Sequence, residues 1–68
     1  MRKTRRYERR LAAAREDAIA VMKTYKAEIE AQRDRMGASH NGFVRQCCQQ
    51  EIDQLMAEKR AIEEVTVG

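Results

Sequence analysis

The sequence predicts an all-α fold, an antiparallel helical hairpin that dimerises into a four-helix bundle or coiled coil. The 68-residue chain has no proline and only three glycines, so little in it interrupts a helix. Its apolar residues recur every three or four positions, as on one face of a helix, without strand-like alternation. Three aromatic residues and 37% charged residues leave a small core for a lone chain, which favours a second copy.

The first helix is predicted over about residues 4–36. Its apolar stripe consists of Tyr7, Leu11, Ala14, Ala18, Val21, Met22, Tyr25, Ile29 and Met36. These positions follow one another by threes, fours and sevens and fall on one side of a helical wheel. Residues 1–12 are therefore expected to form a basic arm that is continuous with this helix.

A turn is predicted over residues 37–41, where the chain has its only cluster of helix-breaking residues. Gly37 can adopt the left-handed conformation that closes a helix. The side-chain oxygen of Ser39 or Asn41 can cap the start of the next helix. The second helix is expected over about residues 42–65, with a frayed end at 66–68.

A second apolar stripe completes the hairpin, which is expected over residues 13–68. It consists of Val44, Cys48, Ile52, Leu55 and Ile62, flanked by Cys47, Met56 and Val65. A short loop between two long helices makes them antiparallel neighbours. The expected oligomer or partner interface comprises Leu11, Ala18, Met22, Tyr25, Ile29, Val44, Cys48, Ile52, Leu55 and Ile62.

The first ten residues carry six basic side chains against one acid, Glu8. The basic residues are Arg2, Lys3, Arg5, Arg6, Arg9 and Arg10. Like charges four residues apart weaken an isolated helix, so the cluster is best explained by an external anion. Arginine guanidinium groups suit bidentate phosphate contacts, and Tyr7 could stack on a base. The arm is predicted to project beyond the hairpin and to become helical on binding.

Lys3-Thr4-Arg5-Arg6-Tyr7-Glu8-Arg9-Arg10 resembles the arginine-rich motif of the antitermination N proteins of lambdoid bacteriophages, T-R-R-x-E-R-R. In that family the segment folds into a bent helix in the major groove of an RNA hairpin. The resemblance implies an RNA-hairpin reader whose Arg5, Arg6, Arg9 and Arg10 contact phosphates, and it implies a role in transcription antitermination. It covers about eight residues and leaves the predicted hairpin unexplained.

Enzyme chemistry is not expected, since no catalytic constellation, metal site or cofactor motif is recognisable. His40 is the only histidine and is expected as a solvated turn residue. Cys47 and Cys48 are adjacent and lack the spacing of zinc ligands. They are expected as reduced side chains, with an intermolecular disulfide as the alternative. No signal peptide or membrane span is recognisable, so a cytoplasmic location is expected.

Two functional hypotheses remain open, together with a purely structural one. The first is a small regulatory protein that binds nucleic acid, RNA before DNA, through the basic arm while the hairpin forms a homo-oligomer or docks a protein. The second is a protein-interaction module, such as a phage-type inhibitor or an adaptor, that docks on a host protein, for example in the transcription machinery. The third is a self-associating structural bundle. An exposed arginine face suits acidic proteins as well as phosphate, so the sequence decides weakly between the first two.

Overall fold

The computed structural model describes residues 1–66, and all the regular secondary structure in this part is α-helical. Its elements are α1 (Arg5–Ala14), α2 (Ala18–Ala38) and α3 (Gly42–Thr66), and no strand occurs in this part. The predicted helical class is confirmed. Thr66, which was expected to be frayed, is the last residue of α3. Val67 and Gly68, the rest of that expected end, lie outside the described residues.

α2 and α3 form the main body and run in opposite directions. Met22 and Lys26, in the first half of α2, lie beside Glu63 near the end of α3. At the other end of the body, Gln32 of α2 lies beside Val44 of α3. The core between them is formed by the buried side chains of Val21, Tyr25, Ile29, Ile52, Leu55 and Ile62. Burying these apolar side chains is the main favourable contribution to folding.

The turn between α2 and α3 is shorter than the predicted 37–41. α2 continues through Gly37 to Ala38, and no glycine of the described part has a positive φ, so the predicted left-handed closure at Gly37 is wrong. Asn41 caps α3, because its side-chain oxygen accepts hydrogen bonds from the backbone N–H groups of Phe43 and Val44 at 2.9 and 3.3 Å. The predicted cap at this position is therefore confirmed for Asn41.

The single helix predicted over residues 4–36 is two helices. The backbone N–H groups of Glu16 and Asp17 both bond to the carbonyl of Ala13, which ends the first helical segment in a tight turn. The side-chain oxygen of Asp17 then accepts from the N–H of Ala20 at 3.1 Å and caps α2. The chain changes direction at this break.

α1 lies against α2 and α3 and does not project from them. Its buried residues are Tyr7 and Ala14, and Leu11 packs half-buried against the same core. Because α1 folds back along α2, Arg10 reaches Glu28, which is 18 residues further along the chain. The prediction of a protruding arm, frayed without a ligand, is therefore wrong: the segment is a docked helix.

Candidate nucleic-acid interface

A buried carboxylate, Glu58 of α3, holds α1 in place. It is fully buried and is the one charged residue of the described chain in that class. Its hydrogen-bond donors come from all three helices and from the residue before α1. They are the hydroxyl of Thr4 (3.2 Å), Nε and Nη2 of Arg6 (3.0 and 2.8 Å), the hydroxyl of Tyr25 (2.8 Å) and the amide of Gln54 (2.8 Å). We call Glu58 and these four donor residues the Glu58 cluster.

Arg6 is the cation of the Glu58 cluster. Its Nε and Nη2 donate to the two oxygens of Glu58 as a bidentate pair. Its Nη1 donates to Glu51 at 2.6 Å. Hydrogen bonding to Glu58 raises the pKa of Arg6, so its charge is permanent. The guanidinium donors of Arg6 have a fixed planar geometry, and both carboxylates that they bind belong to α3. These bonds therefore set the orientation of α1 on α3.

The protonation state of Glu58 is set by two opposing effects. Burial favours the neutral acid and would by itself raise the pKa of Glu58. Hydrogen bonds from Arg6, Gln54 and Tyr25 stabilise the anion more strongly and hold the pKa at about 2. Burial and the bond to Glu58 also raise the pKa of Tyr25, which keeps its hydroxyl a donor. The cluster therefore contains a carboxylate at neutral pH.

Arg10 forms the second ion pair that attaches α1 to the body. Its Nη1 and Nη2 donate to the two oxygens of Glu28, both at 2.6 Å, and its guanidinium carbon lies 4.7 Å from the ring centre of Tyr25. The bond from Arg10 lowers the pKa of Glu28. This geometry combines a bidentate ion pair with a cation–π contact.

Four of the six predicted cations have exposed side chains. Arg2, Lys3, Arg5 and Arg9 are exposed, and none of them lies within ion-pair distance of a carboxylate in residues 1–66. We call these four side chains the outward cation row. The neighbouring outward positions of α1 hold Ala12 and Ala13, both exposed, which leave room for a close approach to the helix.

The structure separates the predicted nucleic-acid-binding residues into two groups. The outward cation row is available to a ligand, whereas Arg6 and Arg10 are engaged by carboxylates of the chain itself. Tyr7 is 8% exposed and belongs to the core, so this conformation offers no ring face for stacking. Arg5 and Arg9 are the motif arginines that remain on the surface.

The residues predicted at an oligomer or partner interface lie largely inside the single chain. Tyr25, Ile29, Cys48, Ile52, Leu55 and Ile62 are buried, and Leu11, Ala18, Met22 and Val44 are half-buried. Most of this stripe therefore forms the core among the three helices, and contact with a second chain stays a prediction.

Sequence reasoning missed Glu58, although a signal for it exists. The second stripe steps from Leu55 to Ile62 and skips the intervening helical turn, where position 58 lies near the same side of the helix. A carboxylate at such a position indicates a buried charge that needs a cation. Glu51, which borders the same stripe, contacts Arg6 of α1.

No group of three His, Cys, Asp or Glu side chains within residues 1–66 could hold a metal ion. His40 is exposed, and Cys47 and Cys48 are free thiols, the first exposed and the second buried. None of the helices described is both long and apolar enough to cross a bilayer.

No known protein family, curated protein or solved structure matches this chain. Nothing in these comparisons identifies the chain as a lambdoid antitermination protein. The likeness of residues 3–10 to that family's motif therefore stays a resemblance of a short segment.

Proposed function

We propose that this protein binds the phosphate backbone of nucleic acid, RNA before DNA, through the outward cation row at the start of the chain and on α1. The observation that carries the proposal is the set of four exposed cations on one short segment, without a carboxylate partner in residues 1–66. Arg5 and Arg9 are one helical turn apart on α1, and Arg2 and Lys3 lie just before its start, so the four cations can contact neighbouring phosphates of one strand.

The docking of α1 supports this proposal in a form that differs from folding on binding. A helix that is already held by Arg6 and Arg10 loses little further backbone entropy when it meets a ligand. The two inward arginines then act as anchors of the binding helix, and the outward cation row makes the contacts. The preference for an RNA hairpin, and any role in antitermination, rests on the resemblance of residues 3–10 alone.

Salt-dependent binding to a short RNA hairpin tests the proposal. Added salt lowers the affinity, and each phosphate contact contributes roughly −0.7 to −0.9 to the slope of log K against log salt concentration. Four contacts from the outward cation row predict a slope of about −3, whereas six free cations would give about −5. The same titration on a DNA duplex shows whether RNA is preferred.

The double variant Arg5→Ala/Arg9→Ala should weaken binding at least tenfold and reduce the salt slope by about 2. Its matched control is Arg33→Ala/Arg35→Ala, which removes the same charge from exposed positions of α2. Equal losses in both variants would indicate a non-specific charge effect. Unchanged affinity of the Arg5→Ala/Arg9→Ala variant would refute the proposal.

A second candidate function is a protein-interaction module that docks on a host protein. Ile19 and Phe43 favour it, because these large apolar side chains are 70% and 74% exposed. A stoichiometric protein partner that survives nuclease treatment, and is lost on replacing Phe43 by Glu, would favour this function over the first. Pairing of α2 and α3 with a second copy into a four-helix bundle is a separate proposal, because it uses the side of the body that α1 does not cover.

A further inference from the structure

One face of the α2–α3 body is left open. A groove runs between the two helices as two adjoining hollows of about 830 and 750 Å³. The residues that line it come from α2 and α3, and in the described chain α1 contributes none of them. We call this feature the α2–α3 groove. It lies on the side of the body that α1 does not cover.

The α2–α3 groove has an apolar floor and a charged rim. Ile19 and Met56, which are 70% and 48% exposed, line it together with the half-buried Met22. The aliphatic stems of Lys26 and Lys59 lie along the same surface. An apolar strip of this kind between two helices is the seam that a second pair of helices covers in a four-helix bundle.

The α3 edge of the groove carries charges of both signs. Lys23 and Lys26 lie on the α2 edge, and the α3 edge holds Lys59, Arg60, Glu63 and Glu64. Glu63 pairs with Lys59 within α3, and Glu64 lies 3.6 Å from Arg60 with its side chain 71% exposed. The acidic side chains of this edge therefore have cations of their own helix beside them, and the apolar floor is the part of the groove that nothing else in the described chain covers.

We propose that a second copy of this chain covers the α2–α3 groove, so that Ile19, Met22 and Met56 of each protomer are buried against its partner. The same groove on the second copy supplies a matching apolar strip, as a self-complementary two-fold interface requires.

The size of the face is sufficient for such a dimer. α2 has 21 residues, which corresponds to a length of about 30 Å. A face two helices wide, about 20 Å, gives about 600 Å² per protomer and about 1,200 Å² in total, the lower end of stable interfaces. Both α1 helices remain on the outside, so dimerisation does not depend on nucleic-acid binding by the outward cation row.

Solution mass as a function of concentration tests the proposal, measured by sedimentation or light scattering on the full chain. The expected result is a concentration-dependent change from 7.9 kDa to twice that mass. Ile19→Glu/Met56→Glu should weaken the dimer at least tenfold, whereas the control Phe43→Glu, an equally exposed residue away from the groove, should not. A monomer at millimolar concentration, or a dimer that only Phe43→Glu disrupts, would overturn the proposal.

Circular dichroism of each variant verifies that it remains helical, so that a loss of self-association can be assigned to the groove.

Discussion

The inner and outer sides of α1 carry the same kind of residue in opposite situations. Arg6 and Arg10 face the body and are held by Glu58, Glu51 and Glu28. Arg5 and Arg9, one position earlier in each pair, face solvent without a carboxylate partner in the described chain. Adjacent arginines differ in this way because neighbouring helical positions diverge by about 100°.

This difference teaches that a basic cluster in a sequence is not one functional unit. The inner pair accounts for the position of α1, and the outer pair is available to a ligand. The helix period therefore distributes arginines between anchoring and proposed binding, and substitutions on the two sides are expected to have different effects. The three stability measurements that follow compare the two sides.

The largest expected effect is that of Arg6→Ala. This variant leaves Glu58, which is fully buried, without its cation, and loss of one partner of a buried pair costs about 3 to 5 kcal/mol. The neighbouring Arg5→Ala should change the free energy of unfolding by less than about 0.5 kcal/mol. Urea denaturation followed by circular dichroism measures both.

A double variant keeps this comparison informative if Arg6→Ala does not fold. Arg6→Met/Glu58→Met removes both charges and should recover much of the lost stability, since neither charge is left buried alone. If Arg6→Ala were as stable as Arg5→Ala, the anchoring role of the inner side would be wrong.

The second effect is a pH dependence that belongs to the inner side. The pKa of Glu58 is lowered from 4.5 to about 2, so its contribution to stability is complete above about pH 4.5 and is lost as the pH falls towards 2. The contribution corresponds to about 3 kcal/mol. Glu58→Gln should therefore show a smaller loss of stability between pH 5 and 2. Parallel pH profiles for the two proteins would contradict the role of this carboxylate.

The smallest of the three effects is that of Arg10→Ala, for which we expect a loss of about 1 to 2 kcal/mol. The variant removes the bidentate pair with Glu28 and the contact with Tyr25, but the Glu28 side chain is 41% exposed and water replaces part of the interaction. Arg9→Ala is the matched control and should lie within about 0.5 kcal/mol of the parent. A control that costs as much as Arg10→Ala would remove the distinction between the two sides.

The second half of the fold could be predicted closely from the sequence. α3 was expected over about 42–65 and spans Gly42–Thr66, because its apolar period is unbroken and Asn41 provides a cap. Most residues of both stripes are core residues, as helical periodicity implies. Local signals are sufficient where one regular helix is packed along its whole length.

The first half could not be predicted in the same way, because the apolar stripe keeps its phase across the break between α1 and α2. Ala14 and Ala18 are four residues apart, so the hydrophobic periodicity alone predicts one continuous helix. The available signal was Asp17, whose side chain favours a helix start. The direction of α1 follows from pairs such as Arg6 with Glu58, 52 residues apart, which no local pattern indicates.

The Glu58 cluster limits how far the protein can be divided for experiments. A synthetic peptide of the first fourteen residues would carry all its guanidinium groups unoccupied, so it would overstate the affinity of the intact molecule for polyanions. A chain that lacks those residues would leave Glu58 with neither the arginine nor the threonine that now bonds to it. The first fourteen residues are the obvious choice for a peptide fragment, but their binding to polyanions as a peptide would not represent that of the whole protein.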